Sequence, residues 1–168
     1  AASALNMAED KLFAGLKSFT GTRRRFELKG EVSGVKVIDD YGHHPTEIIA
    51  TLTAAKNLAQ SARVLVIFQP HRYSRTAAFS EQFSAALSNA DFTFLLEVYA
   101  ASEKPIPGVS SLMIARNMDQ SKVRFEPSML EVVTEIAKMA KSGDVIITLG
   151  AGDISSLGEP ILQSLADR

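Results

Sequence analysis

The chain has 168 residues, 46% of them hydrophobic and 22% charged, with ten Gly and six Pro. That length suits one domain of ~150 residues around a single core, and the composition excludes disorder and low-complexity repeats. The absence of cysteine excludes disulfides, thiolate chemistry and the common zinc frameworks and fits a reducing cytoplasm, while a net charge of −1 argues against a nucleic-acid binder of the usual basic kind.

Residues 5–19 place Leu5, Leu12, Phe13, Leu16 and Phe19 at three- and four-residue spacings, which predicts an amphipathic helix ending near Gly21. Phe26, Leu28 and Val32 then alternate with charged residues, and residues 35–38 form a second strand reached through Ser33-Gly34, giving a hairpin. From Asp39 onward, short β-rich runs alternate with helical windows. Strands are predicted over 64–68, 92–96, 123–125 and 145–149, and helices over 45–60, 76–89, 110–118, 129–141 and 154–165. Pro45 with Glu47 close behind opens one helix, Ser128-x-x-Glu131 is a capping box that opens another, and Gly143 supplies a stop. The runs over 64–68 and 145–147 are apolar on both faces, as buried parallel strands require. The predicted fold is therefore α/β: an open, mostly parallel, Rossmann-like sheet with helices on both faces and an N-terminal hairpin containing an antiparallel strand. The longest apolar run, over 64–68, is too short to cross a bilayer, which takes ~20 residues, and no signal-peptide pattern leads the chain, so no membrane is expected.

Charge is unevenly spread. Residues 1–80 hold 11 Lys and Arg against 7 Asp and Glu, while residues 81–168 hold 7 against 12. Between Glu47 and Glu81 there is no acid, and Lys56, Arg63, Arg72 and Arg75 stand unopposed. A local anionic ligand and a solvated basic face are both compatible with that stretch.

Ligands of open parallel sheets bind at the carboxyl ends of the strands. Those positions carry Asp39-Asp40-Tyr41-Gly42-His43-His44-Pro45, Gln69-Pro70-His71-Arg72-Tyr73-Ser74-Arg75-Thr76, and Gly150-Ala151-Gly152-Asp153. Asp39 and Asp40 either cap the helix at Pro45 or serve a ligand. A metal cage from this segment alone is disfavoured because adjacent side chains on extended backbone point to opposite faces, whereas one carboxylate can accept from two ribose hydroxyls. Arg72 and Arg75 can turn to one side if their turn is helical, and guanidinium forks match a carboxylate or phosphate. Gly150-x-Gly152 can present amides to an anion, although it is incomplete as a dinucleotide fingerprint. The Arg23-Arg24-Arg25 run is either a ligand element or a solvated edge.

Four stretches together, RRRFELKGE over 23–31, VIDDYGHHPTEI over 37–48, FQPHRYSRT over 68–76 and LGAGDI over 149–154, closely resemble the C-terminal domain of the Mur ligases. The likeness runs from about Gly21 almost to the end. Residues 1–20 resemble the last helix of the family's central domain, or a linker, and 21–168 the C-terminal domain. One departure is Ser102, where the family usually has Gly.

The resemblance implies an ATP-dependent amide-bond ligase of peptidoglycan precursor synthesis, acting through an acyl phosphate. FQPHRYSRT points to the branch that joins L-alanine to UDP-N-acetylmuramate; the branch that recycles murein tripeptide, and a non-catalytic nucleotide-binding module, are the alternatives. A metal-dependent hydrolase using His43, His44, His71 and Asp40 is disfavoured by the geometry above. The resemblance implies ATP and Mg2+, the latter held mainly by a P-loop in the central domain; no Gly-x-x-x-x-Gly-Lys-Ser/Thr occurs here, so the chain is expected to be a fragment, inactive alone, whose partners are the N-terminal and central domains. It further implies that Asp40 binds the ribose, Arg25 approaches the phosphates, and Tyr41 and His43 line the junction of nucleotide and amino acid. His71, Arg72 and Arg75 would hold the alanine and nearby substrate charge, over a floor formed by Gly150, Ala151 and Gly152. No metal ligand is expected in this chain.

Overall fold

The computed structural model describes residues 9–18 and 22–168. Helix α1 spans Glu9–Ser18, so the ends of the predicted 5–19 helix lie outside the described residues. Within α1, Phe13 stays 59% exposed, so its ring is not buried in this fold.

Six strands form one sheet: β1 (Glu27–Val32), β2 (Val35–Asp40), β3 (Val64–Phe68), β4 (Phe92–Leu95), β5 (Val123–Phe125) and β6 (Val145–Leu149), in the order β1-β2-β6-β3-β4-β5. β1 pairs antiparallel with β2 and every other pairing is parallel. The helices that follow are α2 (Pro45–Ala59), α3 (Tyr73–Leu87), α4 (Leu112–Ala115), α5 (Met129–Met139) and α6 (Gly158–Ala166), the last preceded by a 3-10 turn over Asp153–Leu157.

Period-two alternation in the central strands divides the core. Val64, Val66 and Phe68, with Val145, Ile147 and Leu149, pack under Ile48, Leu52, Phe83, Leu87 and Ile114 of α2, α3 and α4. Leu65, Ile67 and Ile146 face the other way, onto Val132, Ile136, Ile161 and Leu165 of α5 and α6. The chain steps outward from β2 through β3 and β4 to β5, then returns to the middle as β6; reversing the direction of travel moves the connecting helix to the opposite face when crossovers keep one hand. Each face thus buries a separate apolar layer, and the strands between them must be apolar on both sides.

β6 lies between β2 and β3, with Asp40 and Phe68 both in register with Leu149. The loops leaving the carboxyl ends of β2, β6 and β3 therefore emerge side by side, and the loop after β4 flanks the last of them.

Several boundaries differ from the sequence reading, two of them at the site. β2 runs on through Asp39 and Asp40 because both carboxylates find buried donors. Helix α3 starts at Tyr73, three residues earlier than predicted, for a reason that belongs to the site.

Candidate functional site

The loop after β2 is built on Asp40, which is only 5% exposed. Its carboxylate accepts from the Phe26 N–H (2.7 Å), the Gly42 N–H (2.8 Å) and the Thr51 hydroxyl (3.0 Å), leaving about one of its four acceptor directions open. Asp39 points to the other face, as extended backbone requires, and accepts from Thr148 Oγ1 (2.7 Å) and Arg24 Nε (3.2 Å). Neither Asp caps α2. The cap is His44, whose Nδ1 accepts from Thr46 N–H at 3.5 Å, while Glu47 reaches back to the N–H groups of His43 (2.9 Å) and His44 (3.1 Å). Burial pushes the Glu47 carboxyl up, but those N–H donors and the charges of His43 and Arg25 outweigh it and hold the group below its ordinary value.

Tyr41 sits in the middle of this loop with two guanidinium groups against its ring, Arg24 at 4.9 Å and Arg25 at 5.5 Å from the centroid. Its ring meets His43 edge to face at 5.3 Å. The Arg run is thus no simple solvated edge. Arg24 has φ +56° and Phe26 φ +50°, a left-handed region costing roughly 1 to 2 kcal/mol for ordinary residues. The strain is held by the donation of Phe26 N–H to Asp40, of Arg24 N–H to Glu27 (2.7 Å) and of Tyr41 N–H to the Arg24 carbonyl (2.8 Å). Sequence reasoning singled out Arg25 and missed Arg24, which also donates to the carbonyls of Gly150 (2.6 Å) and Gly152 (3.3 Å) and so ties the hairpin to the β6 turn. Its only signal in the sequence was adjacency to Arg25.

The β6 turn needs its glycines. At Gly150, φ is +152° and an added Cβ would lie 2.8 Å from the Gln69 carbonyl oxygen; at Gly152 it would strike Gln69 Oε1 and sit 2.8 Å from Tyr99 Cγ. Gly150 N–H already donates to the Asp40 carbonyl at 3.1 Å, so this amide is not free for an anion, contrary to the sequence reading. Gln69, a second residue missed, bridges the β3 and β6 loops through Nε2 to Asp153 at 2.9 Å, while among the described residues its buried Oε1 has no hydrogen-bond partner.

The loop after β3 is different in kind. Arg72 has φ +78° and precedes α3 instead of lying in it, so the condition for turning Arg72 and Arg75 to one side, a helical turn that includes both, is not met. Among the described residues, the exposed Arg72 guanidinium makes no hydrogen bond or ion pair; its backbone N–H donates to the Tyr99 carbonyl at 2.8 Å. Arg75, in the first turn of α3, folds back so that Nη1 donates to the His71 carbonyl (3.2 Å) and lies 3.4 Å from His71 Nδ1. The amide end of α3 is capped from afar by Glu103, which accepts from Ser74 N–H (3.0 Å) and Ser74 Oγ (2.6 Å).

His71 is where the two loops meet. Its ring lies 5.9 Å from that of His43 and stacks on Tyr99 at 5.5 Å with an interplanar angle of 18°. Burial pushes its pKa below the ordinary 6.5, and the positive charges of Arg75, His43 and Arg72 push it further, against a weaker opposing pull from Glu103. The imidazole is therefore neutral near pH 7. The guanidinium groups of Arg25, Arg72 and Arg75 make the edge around Tyr41, His43 and His71 electropositive, suited to receive an anion. Among the described residues no three His, Asp or Glu side chains gather as a metal site would require.

Residues 24–152 match the family model described as Mur ligase, glutamate ligase domain. The chain is 48% identical to the UDP-N-acetylmuramate-L-alanine ligase of Mycolicibacterium smegmatis over 167 residues, covering 98% of this chain and 34% of that protein. Its likeness to the same-named ligase of Renibacterium salmoninarum is 45% over 162 residues, covering 96% and 34%. Among solved structures, the UDP-N-acetylmuramate-alanine ligase of Thermotoga maritima superimposes with a TM-score of 0.73 at 27% identity, covering 96% of this chain and 34% of that one. A murein peptide ligase from Psychrobacter arcticus superimposes with a TM-score of 0.74 at 25% identity, covering 99% and 35%. The chain spans about a third of the length of the curated relatives it matches.

Proposed function

Because the chain belongs to the Mur ligase family, we propose that it is the C-terminal domain of an ATP-dependent ligase that joins L-alanine to UDP-N-acetylmuramate through an acyl phosphate, in peptidoglycan precursor synthesis in the cytoplasm. The observation that carries this reading is the convergence of Tyr41 and His43 with His71, Arg72 and Arg75 at one sheet edge. The fold does not separate the alanine ligase from the murein peptide ligase, since both superimpose equally well, whereas the identities of 45% and 48% to the alanine ligases favour the first.

In this reading residues 21–168 are the C-terminal domain and residues 1–20 belong to the preceding domain or a linker, which is supported by the exposed Phe13 ring on α1. Tyr41 offers an aromatic face to the nucleotide, Arg25 offers a phosphate partner, and Asp40 fixes the loop from below with its remaining acceptor direction toward the ribose. Arg25 engages Glu47 only loosely, at 3.7 Å, so phosphate can compete for it. Arg72 and Arg75 take the alanine carboxylate, and a neutral His71 leaves the binding charge to those two guanidinium groups. Holding that carboxylate fixes the amine near the acyl carbon, ~3 to 3.5 Å for a productive approach. Domain closure then excludes water from the acyl phosphate. Magnesium stabilises phosphoryl charge when bound, and the described residues of this chain provide no cage for it.

The test joins this chain to its N-terminal and central domains and supplies ATP, magnesium, UDP-N-acetylmuramate and L-alanine. Phosphate release should depend on alanine and give the amide, with murein tripeptide inert in its place; the chain alone should give neither product. Turnover with tripeptide but not alanine would overturn the assignment.

A further inference from the structure

We propose that Tyr99, on the loop after β4, is a positioning residue of the amino-acid site, holding His71 and Arg72 in receiving geometry by stacking on one and clamping the backbone of the other. The inference rests on the reading of this edge as the amino-acid site. Tyr99 opens the stretch Tyr99-Ala100-Ala101-Ser102-Glu103 that holds the Ser102 departure, and the sequence assigned it no role.

Its backbone and its ring act on the same segment. Tyr99 N–H donates to the Pro70 carbonyl and its carbonyl accepts from Arg72 N–H, both at 2.8 Å, making an isolated parallel bridge that brackets His71. That bridge holds Arg72 at φ +78°, a conformation that lifts its side chain out of α3. The ring stacks nearly parallel on the imidazole, and its Cγ and Cδ2 lie so close to Gly152 that a Cβ there would come within 2.8 and 2.9 Å. Tyr99 is thus wedged between the β3 and β6 loops and covers one face of the His71 ring, while Arg75 Nη1 meets the Nδ1 edge of the same ring at 3.4 Å. Among the described residues the Tyr99 side chain makes no hydrogen bond, so the planar ring, and not the hydroxyl, supplies the effect. A ring that only filled space would be exchangeable for an aliphatic side chain of similar bulk; a ring that orients an imidazole is not, since stacked planes restrict tilt.

The discriminating experiment compares Tyr99→Phe, Tyr99→His and Tyr99→Leu in the full-length ligase, reading KM for L-alanine, KM for ATP, kcat and the His71 ring resonance in protein carrying isotope-labelled histidine. The Phe variant should stay within about twofold of wild type in every constant. The Leu variant should raise the alanine KM at least about tenfold with ATP KM within about twofold, and the His variant should fall between them. The His71 resonance should move in Tyr99→Leu and stay in Tyr99→Phe. An alanine KM unchanged in Tyr99→Leu, or one rising in equal proportion with the ATP KM, overturns the proposal. Failure of the underlying functional reading looks different: wild-type enzyme then shows no alanine-dependent turnover, and positioning is decided by the resonance alone, where an unmoved His71 in Tyr99→Leu overturns it.

Discussion

Residues 39–47, the end of β2 and the loop that follows it, satisfy their buried acceptors internally: Asp40 takes three donors, Asp39 takes Thr148 and Arg24, and Glu47 takes two backbone amides. Residues 69–76, after β3, do the reverse, leaving Arg72 without a partner among the described residues and turning Arg75 onto a neutral imidazole. Both loops hold non-glycine residues or neighbours at positive φ, yet only the first is electrostatically complete. The contrast assigns them different work. In the proposed function, the β2 loop is a template whose hydrogen bonds close without ligand, and the β3 loop is a cationic receptor completed by an anion.

The contrast can be broken from either side. The largest effect is expected for Asp40→Ala, which strands three donors and releases the strained Phe26; it should destabilise the fold by about 3 to 5 kcal/mol in urea denaturation. Arg75→Ala should do the opposite, changing stability by less than about 0.5 kcal/mol while raising the alanine KM at least about tenfold, the equivalent of a lost charge-assisted hydrogen bond of ~1.5 to 3 kcal/mol. Arg72→Gly sharpens the comparison further. Removing a side chain from φ +78° should raise stability by about 0.5 to 1 kcal/mol even as alanine binding weakens, a gain of stability at the expense of function. Ser102 at φ +71° provides the control, because Ser102→Gly should give a similar small gain with unchanged kinetics.

A pH effect follows from His71. Its folded pKa lies below 6.5, so as the pH falls below 6.5 the unfolded chain takes up a proton that the folded chain still refuses. Stability contributed by the neutral imidazole is complete above 6.5 and declines as pH falls through the lower folded value. A His71→Gln variant should flatten that slope in denaturation curves measured between neutral pH and mild acid.

Much of this was legible in the sequence, because it rests on local patterns. Runs such as 64–68 and 145–147 are apolar on both faces, Pro45 with Glu47 marks a helix start, and the strand-end loops carry the polar chemistry that an open parallel sheet gathers. What escaped depends on distant partners. The start of α3 was misplaced because Ser74 receives its capping acceptor from Glu103, across a separate loop. The extension of β2 was hidden because Asp39 and Asp40 read as loop residues until Thr148, Thr51 and Arg24 are brought to them. The short α4, Leu112–Ala115 against a predicted 110–118, gives way to turns stabilised by Ser111 bonding back to Leu96 and Gln120 to Met118. Ser102, where glycine was expected by resemblance, keeps the left-handed backbone that a glycine would favour, so the turn survives the substitution.

The central claim, that the β3 loop receives the carboxylate of the incoming amino acid, is tested most directly by comparing L-alanine with L-alaninamide in the full-length enzyme. Both carry the attacking amine, and only the first carries the anion. Wild-type enzyme should discriminate at least about tenfold in kcat/KM in favour of alanine, and an Arg72→Ala, Arg75→Ala double variant should lose most of that preference by weakening toward alanine alone. Equal use of both amines by wild type, or a preference that survives in the double variant, would contradict the account.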